Sequence, residues 1–387
     1  MKSIAHVGVR IVLTCAAATS LPTPVHADQA QDNAYEFALI GDYPYTARDE
    51  RSMPALVRDI QQQTDLAFVV HLGDLHNPRM TECSESLFRA RYDLLMSLQK
   101  PLIYTPGDND WADCKDQPED YLQIIRKLFF SDPLRASGVD AFSVRSQSSG
   151  EEFPELVENV MWEHQGVVYA SMHMILPALL PFGDEVAEYR QRLVHAGEAW
   201  MDEAFKMAKE MDAKGVFLIT QASLWPISGN PQIINLLYPE LFELTPTFDE
   251  FKLKLVENVR AFGRPVVMAN GDTHYFRIDK PLLDSGGDPL QTFTRVEGFG
   301  TPHGHWVRVR VEPDRPEVFS FRQELVEENL FTLVPPEQRP DEEIENLDHL
   351  IAVVAVMRWT PRIFMWIGIL AVILWSTKGW RRRWRKT

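Results

Sequence analysis

Four short apolar runs in this chain stop at the same dipeptide, Gly-Asp, and that recurrence restricts the fold more than any other feature. Residues 35–40 end at Gly41-Asp42, 67–72 at Gly73-Asp74, 101–106 at Gly107-Asp108 and 265–270 at Gly271-Asp272. Between the first three, apolar residues recur at helical spacing over 54–63 and 85–99. Strand, helix, strand, helix, strand implies parallel neighbours in one sheet, because parallel strands need a long crossover. Ligands of such sheets bind beyond the carboxyl ends of the strands, which is where Asp42, Asp74, Asp108 and Asp272 stand. A lone Gly-Asp is usually just a turn, and Gly183-Asp184 and Gly287-Asp288, which follow no strand, read that way. Four at similar registers, with His274 two residues past the last, point to a cation site. Carboxylates converging in a partly dry crevice repel by several kcal/mol unless positive charge intervenes.

The rest of the body, 32–330, continues the alternation. Residues 159–163 and 167–174 read as a hairpin about Gln165-Gly166, 186–213 as a long amphipathic helix and 215–220 as a buried strand. Thr247-x-x-Glu250 is a capping box opening a helix over 249–262, and 306–311 alternates as a closing strand. No internal repeat is present. With 45% apolar and 24% charged residues the chain is of ordinary globular composition, so disorder and small disulfide scaffolds are excluded.

Both ends read as addresses. Lys2 and Arg10, the apolar stretch 11–21 and Val25-His26-Ala27 make residues 1–27 a signal peptide. A Pro/Glu-rich linker over 335–350 leads to 361–377, whose interior carries no charge and whose ends carry Trp366 and Trp375, an expected transmembrane helix. The tail 378–387 is basic, which places it in the cytoplasm and the body outside, in the periplasm or extracellular space. All 55 acidic residues but only 29 of the 39 Lys and Arg fall within 28–357, a net charge of −26 that argues against nucleic-acid partners. In an exported body Cys83 and Cys114 are expected to be bridged, tying the loop after one strand to the loop after the next.

The series Asp42, Asp74, Asp108 and Gly271-Asp272-Thr273-His274 resembles the calcineurin-like metallophosphoesterases, whose pattern is D-x-H, GD, GNH[DE], a lone His and GHxH. The resemblance spans residues 35 to about 321 and implies an α/β fold of two packed mixed sheets flanked by helices, an αββα sandwich. It also implies a pair of divalent cations and hydrolysis of a phosphate mono- or diester by a metal-activated water. Several family residues are replaced: the D-x-H histidine by Pro44, the GNH asparagine by Asp108, the proton-donating histidine by Asn109 and the first GHxH histidine by Asp272. Purple acid phosphatases within the superfamily also lack the first histidine and use a Tyr three residues after the second Asp, where this chain has Asn77. Gln221 stands where the lone His is expected.

The implied metal ligands are therefore Asp42, Asp74, Asp108, Gln221, Asp272 and His274, and their oxygen-rich character suits Mg²⁺, Mn²⁺, Ca²⁺ or iron better than a zinc pair. Asn109, Asp110 and His76 are the candidates for the catalytic proton-handling position. His71, inside an apolar run, and His173 read as packing, as do His303 and His305 about Gly304. The implied substrate is a phosphorylated small molecule or lipid-linked phosphate reached from the membrane. The competing reading is a degenerate phosphoesterase fold serving as a membrane-tethered binding or scaffold protein; against it, two of the losses are to Asp, itself a metal ligand.

Overall fold

The computed structural model describes residues 33–176, 184–225 and 248–330. The expected signal peptide, linker, transmembrane helix and basic tail lie outside the described residues. Among those that are described, no helix is long and apolar enough to cross a membrane.

Three strands supply the expected parallel core of a first sheet: β1 (Tyr35–Ile40), β2 (Leu66–His71) and β3 (Pro101–Tyr104). Helices α1 (Ala47–Gln61) and α2 (Glu85–Met96) make the crossovers, and α3 (Pro118–Phe129) follows β3. The short β4 (Ser137–Gly138) pairs antiparallel with β3 at one edge. At the other, the late strands β12 (Trp306–Val311) and β13 (Phe319–Glu324) return to lie beside β1, giving the order β13-β12-β1-β2-β3-β4.

The second sheet is built around β7 (Val167–Ser171), β8 (Gly215–Ile219), β9 (Val266–Asn270) and β11 (Phe293–Glu297), parallel to their neighbours in that group. β5 (Arg145–Ser146), β6 (Val160–His164) and β10 (Arg277–Asp279) add antiparallel edges, in the order β10-β11-β9-β8-β7-β6-β5. The expected hairpin at Gln165-Gly166 is β6–β7. Helices α4 (Asp184–Glu210) and α5 (Asp249–Phe262) accompany this sheet.

Alternation along each strand builds three cores. Phe37, Leu39, Phe68 and Val70 of the first sheet meet Tyr169, Phe217, Ile219 and Val267 of the second in a buried layer between them. The opposite faces pack under helices: Ala38, Ile40 and Val69 with α1, α2 and α3, and Val168, Val216 and Met268 with α4 and α5. Two mixed sheets with helices outside are thus the observed architecture.

Helix α1 begins seven residues before Pro54, where the helical spacing of apolar residues over 54–63 starts. Thr46 and Asp49 form a reciprocal capping box that starts it earlier, and Pro54 lies inside. Phe248 caps α5 without a side-chain bond, while Thr247 lies outside the described residues. Cys83 and Cys114 are bridged, with Cα atoms 5.9 Å apart across a sequence separation of 31. Replacing both with Ala should lower unfolding stability by about 3–4 kcal/mol on the chain-entropy account, measured by urea denaturation; a loss below about 1 kcal/mol would show that the reduced chain is already constrained.

Candidate metal centre

The carboxyl ends of the parallel strands meet at one edge of the two sheets, where direct bonds cross between them. Asp42, after β1, accepts the backbone N–H of Asp272, after β9, at 2.8 Å. Gln221, after β8, donates through Nε2 to Asp74 Oδ2, after β2, at 3.2 Å. Asp108 and Asn109, after β3, adjoin Asp74: Asn109 N–H donates to Asp74 Oδ1 at 3.2 Å and its Nδ2 to Asp74 Oδ2 at 3.1 Å.

The local chain explains why Gly-Asp recurs. The left-handed turn is made by the aspartates themselves, with φ of 51° at Asp42, 59° at Asp74 and 80° at Asp272. Asp tolerates this region better than most residues. Glycine is required chiefly for room: a Cβ on Gly107 would collide with the Asp74 carboxylate, and one on Gly271 with that of Asp42. Only Gly73, at φ 92°, also needs its own conformational freedom.

Asp42, Asp74 and Gln221 are buried, whereas Asp108, Asn109, Asp272 and His274 are partly open to solvent. Burial, reinforced by the charges of Glu297 and Asp108, raises the Asp42 carboxyl well above its ordinary range despite the bond from Asp272. Burial and the charges of Asp108 and Asp42 do the same to Asp74 and to Asp272. Burial and Asp113 push Asp108 up to about 7. Two buried acceptors, Asp42 Oδ2 and Gln221 Oε1, have no hydrogen-bond partner among the described residues. His274 Nδ1 lies 2.9 Å from the Thr301 carbonyl, so Nδ1 carries the proton and the Nε2 lone pair, 3.8 Å from Asp42 Oδ1, is available. An imidazole oriented through its other nitrogen is a common arrangement for a metal ligand.

The six expected ligands therefore share one strand-end region, but they are spread more widely than one ion spans. Among the described His, Cys, Asp and Glu residues, the trio bringing donor atoms within 4.8 Å of one another is His76, Cys83 and Cys114. Those sulfurs are joined in the disulfide, so this trio offers no thiolate. The strand-end carboxylates stand apart as like charges do, each held by neutral donors.

Of the proton-handling candidates, only Asn109 lies in the cluster. Asp110 is buried beneath it, its carboxylate accepting from the N–H groups of Asp74, Leu75 and Gly107 and from the Tyr104 hydroxyl. It pins two loops together and has no face toward a substrate. His76 is not brought to the cluster. It is 1% exposed, with Nε2 3.4 Å from Cys83 Sγ and its ring edge-on to Phe88. Burial and the Arg91 charge push it down to about 4.

Three contributors were missed from sequence. Tyr45 donates to Asp74 Oδ2 at 2.6 Å and receives Asn109 Nδ2 at 2.8 Å; it stands three residues after the first Asp. Thr301 orients His274 and also donates through Oγ1 to the Asp42 carbonyl. Ser223 N–H donates to Asp272 Oδ2 at 3.3 Å. Asp74 and Asp272 would each need such neutral partners, but nothing local in the sequence names them.

His71 is core, as expected, beneath the Asp74 turn. Its Nδ1 accepts the Gly73 N–H at 3.1 Å, and burial pushes it down to about 3. Between pH 6.5 and 3 the unfolded chain binds a proton that the folded one refuses, so stability falls as pH drops through that window. At pH 5 this one group should cost about 2 kcal/mol relative to pH 7. His71→Asn, whose Oδ1 can replace Nδ1 as acceptor, should lose correspondingly less on acidification in urea unfolding; an equal loss in both proteins would count against this assignment.

No family model and no curated protein matches the chain. Among solved structures, one titled "GAP50 the anchor in the inner membrane complex of Plasmodium" aligns over 79% of this chain and 99% of its own, at 9% identity and a TM-score of 0.42. A likeness that distant carries no argument about function.

Proposed function

We propose that the strand-end cluster holds divalent cations and that the body hydrolyses a phosphate mono- or diester, as a divergent relative of the calcineurin-like metallophosphoesterases. The observation that carries this reading is a pair of fully buried acceptors, Asp42 Oδ2 and Gln221 Oε1, without donors among the described residues and beside carboxylates that burial already disfavours. Buried acceptors are costly unless something positive meets them, and the His274 lone pair stands at the same place. The residues suit hard cations: Asp42, Asp74, Asp108, Gln221, Asp272 and His274 would hold them, with Mg²⁺, Mn²⁺, Ca²⁺ or iron preferred over a zinc pair. When bound, such ions supply a Lewis acid that activates water and offsets phosphate charge.

The chain's own part is positional. Tyr45, Gln221 and Asn109 fix the Asp74 carboxylate from three sides. Thr301 sets the His274 tautomer, and Asp110 holds the two loops in register. Asn109, though partly exposed, spends both side-chain N–H groups on Tyr45 OH and Asp74 Oδ2. It cannot release a proton near neutral pH, and that specific fact favours the second reading, a metal-binding scaffold without turnover. We further place the body outside the cell, tethered by residues 361–377; protease added externally should therefore digest it and leave the tail.

Metal content of the purified protein and hydrolysis of aryl phosphate mono- and diesters across added Mg²⁺, Mn²⁺, Ca²⁺, Fe²⁺ and Zn²⁺ test the proposal. Tight cation binding with hydrolysis is the expected result. Binding without hydrolysis replaces the enzyme with the scaffold, and no binding overturns both.

A further inference from the structure

His76 takes no part in the strand-end cluster, and its surroundings are poor for a packing histidine. The ring is buried, and Nδ1 has no hydrogen-bond partner among the described residues. Its other nitrogen, Nε2, lies 3.4 Å from Cys83 Sγ. Sulfur is a weak partner, so this buried imidazole is left largely unsatisfied. One ligand atom each from His76, Cys83 and Cys114 lies within 4.8 Å of the other two. With zinc–sulfur bonds of about 2.3 Å and zinc–nitrogen bonds of about 2.0 Å, a tetrahedral site sets nitrogen and sulfur about 3.5 Å apart. The separation of His76 Nε2 from Cys83 Sγ is already of that size. Bonds other than the disulfide hold the three positions. Tyr121 OH donates to the Cys83 carbonyl at 3.2 Å, and Arg91 Nε to the Leu75 carbonyl at 2.8 Å. Cys114 N–H donates to the Trp111 carbonyl at 3.0 Å, and the His76 ring rests edge-on against Phe88.

We infer that His76, Cys83 and Cys114 form a zinc site in the thiol form of this chain, where a metal ion takes over the loop clamp from the disulfide. The site is separate from the strand-end cluster and does not rest on the function proposed above. Exchange with a dithiol opens the bridge. The dithiol sulfurs close on each other, and their two electrons and two protons leave Cys83 and Cys114 as thiols. Zn²⁺ then displaces one proton from each thiol, and the His76 Nε2 lone pair adds the third ligand. Water fills the fourth position. Two thiolates select zinc-like ions over Mg²⁺, Mn²⁺ or Ca²⁺, the reverse of the preference of an oxygen-rich set. The clamp bears on the strand ends because Cys83 follows the Asp74 loop and Cys114 the Asp108 loop.

Co²⁺ titration of the reduced full-length protein tests this, in a Cys15→Ser background that removes the third cysteine. Thiolate ligands give Co²⁺ a sulfur charge-transfer band in the near ultraviolet. Carboxylates and imidazole do not, so ions at the strand ends cannot imitate it. The reduced protein should develop the band with one Co²⁺ per chain and lose it to one equivalent of Zn²⁺, whereas the disulfide form should show none. Zn²⁺ should also raise the melting temperature of the reduced form more than that of the disulfide form. His76→Phe keeps a ring against Phe88 and removes both nitrogens; it should bind Co²⁺ at least tenfold more weakly, with altered visible bands. Should the reduced chain be unfolded without metal, Zn²⁺ is expected to restore its near-ultraviolet circular dichroism. A reduced protein without the sulfur band overturns the inference. So does His76→Phe with wild-type affinity and spectrum, or thiol-bound Zn²⁺ on a chain that stays unfolded.

Discussion

Asp74→Asn should abolish Mn²⁺ uptake and, against the usual trend for a buried substitution, raise the melting temperature of the metal-free protein. Asp74 is 2% exposed and sits among Asp42, Asp108 and Asp110, whose charges oppose its own. Its Oδ2 accepts from Tyr45, Asn109 and Gln221, and an asparagine oxygen in that place keeps all three. The amide nitrogen then faces the Asn109 N–H and forfeits one bond at 3.2 Å, at a cost of about 1 kcal/mol. Removing a buried charge of the same sign as its neighbours returns more than that, and a net gain of about 1–2 kcal/mol is expected. Wild type should gain about 2.7 kcal/mol at a Mn²⁺ concentration one hundred times its dissociation constant, while the variant gains nothing. Thermal unfolding with and without Mn²⁺ checks both halves. If the variant is stabilised by Mn²⁺ as much as wild type, Asp74 is no ligand and the centre lies elsewhere.

Glu158→Ala should be strongly damaging, costing about 3–5 kcal/mol because it strands a largely buried arginine. Glu158 is completely buried and accepts from Arg126 Nε and Nη2 at 3.0 and 2.7 Å. It also meets His173 Nδ1 at 2.8 Å, and His173 Nε2 accepts the Trp111 indole N–H at 3.1 Å. The indole follows Asp110, so the network extends to the loop bearing Asp108 and Asn109. Burial alone would raise the Glu158 carboxyl, but the His173 bond and the Arg126 charge outweigh it and hold the group at about 2. Its stabilisation is therefore complete above the unfolded value of about 4.3 and is lost as pH falls toward 2. Urea unfolding of Glu158→Ala, beside a Glu158→Leu/Arg126→Met double variant, separates pair-breaking from pair-removal. The double variant should recover at least about half the loss; if it does not, packing rather than the stranded charge is responsible.

What the amino-acid sequence determined was whatever depends on period and on neighbours along the chain. The apolar runs 35–40 and 67–72 mark strands buried on both faces, with Phe37, Leu39, Phe68 and Val70 in the layer between the sheets and Ala38, Ile40 and Val69 under the helices. The helical intervals impose parallel pairing, and parallel pairing brings the Gly-Asp ends of β1, β2 and β3 to one edge. The Cys83–Cys114 link follows from that neighbour relation, since both loops leave adjacent strands. Direction beyond the strand ends was not legible in this way. Asp42, Asp74 and Asp272 turn left-handed, and each such turn re-aims every residue after it. That is why Tyr45 reaches the Asp74 carboxylate while His76, two residues beyond Asp74, packs on the disulfide instead. Asp110 likewise looked like a free acid beside Asn109 and is the anchor of two loops, because the N–H groups of Asp74 and Leu75, 36 and 35 residues away, join its near neighbours Tyr104 and Gly107 on it only after β2 and β3 pair. The second sheet had to lie against the first before Gln221 could meet Asp74, Asp272 could meet Asp42, and Thr301 could set His274. Those contacts join residues 27 to 230 positions apart, and only the burial of the layer between the sheets holds such separations closed.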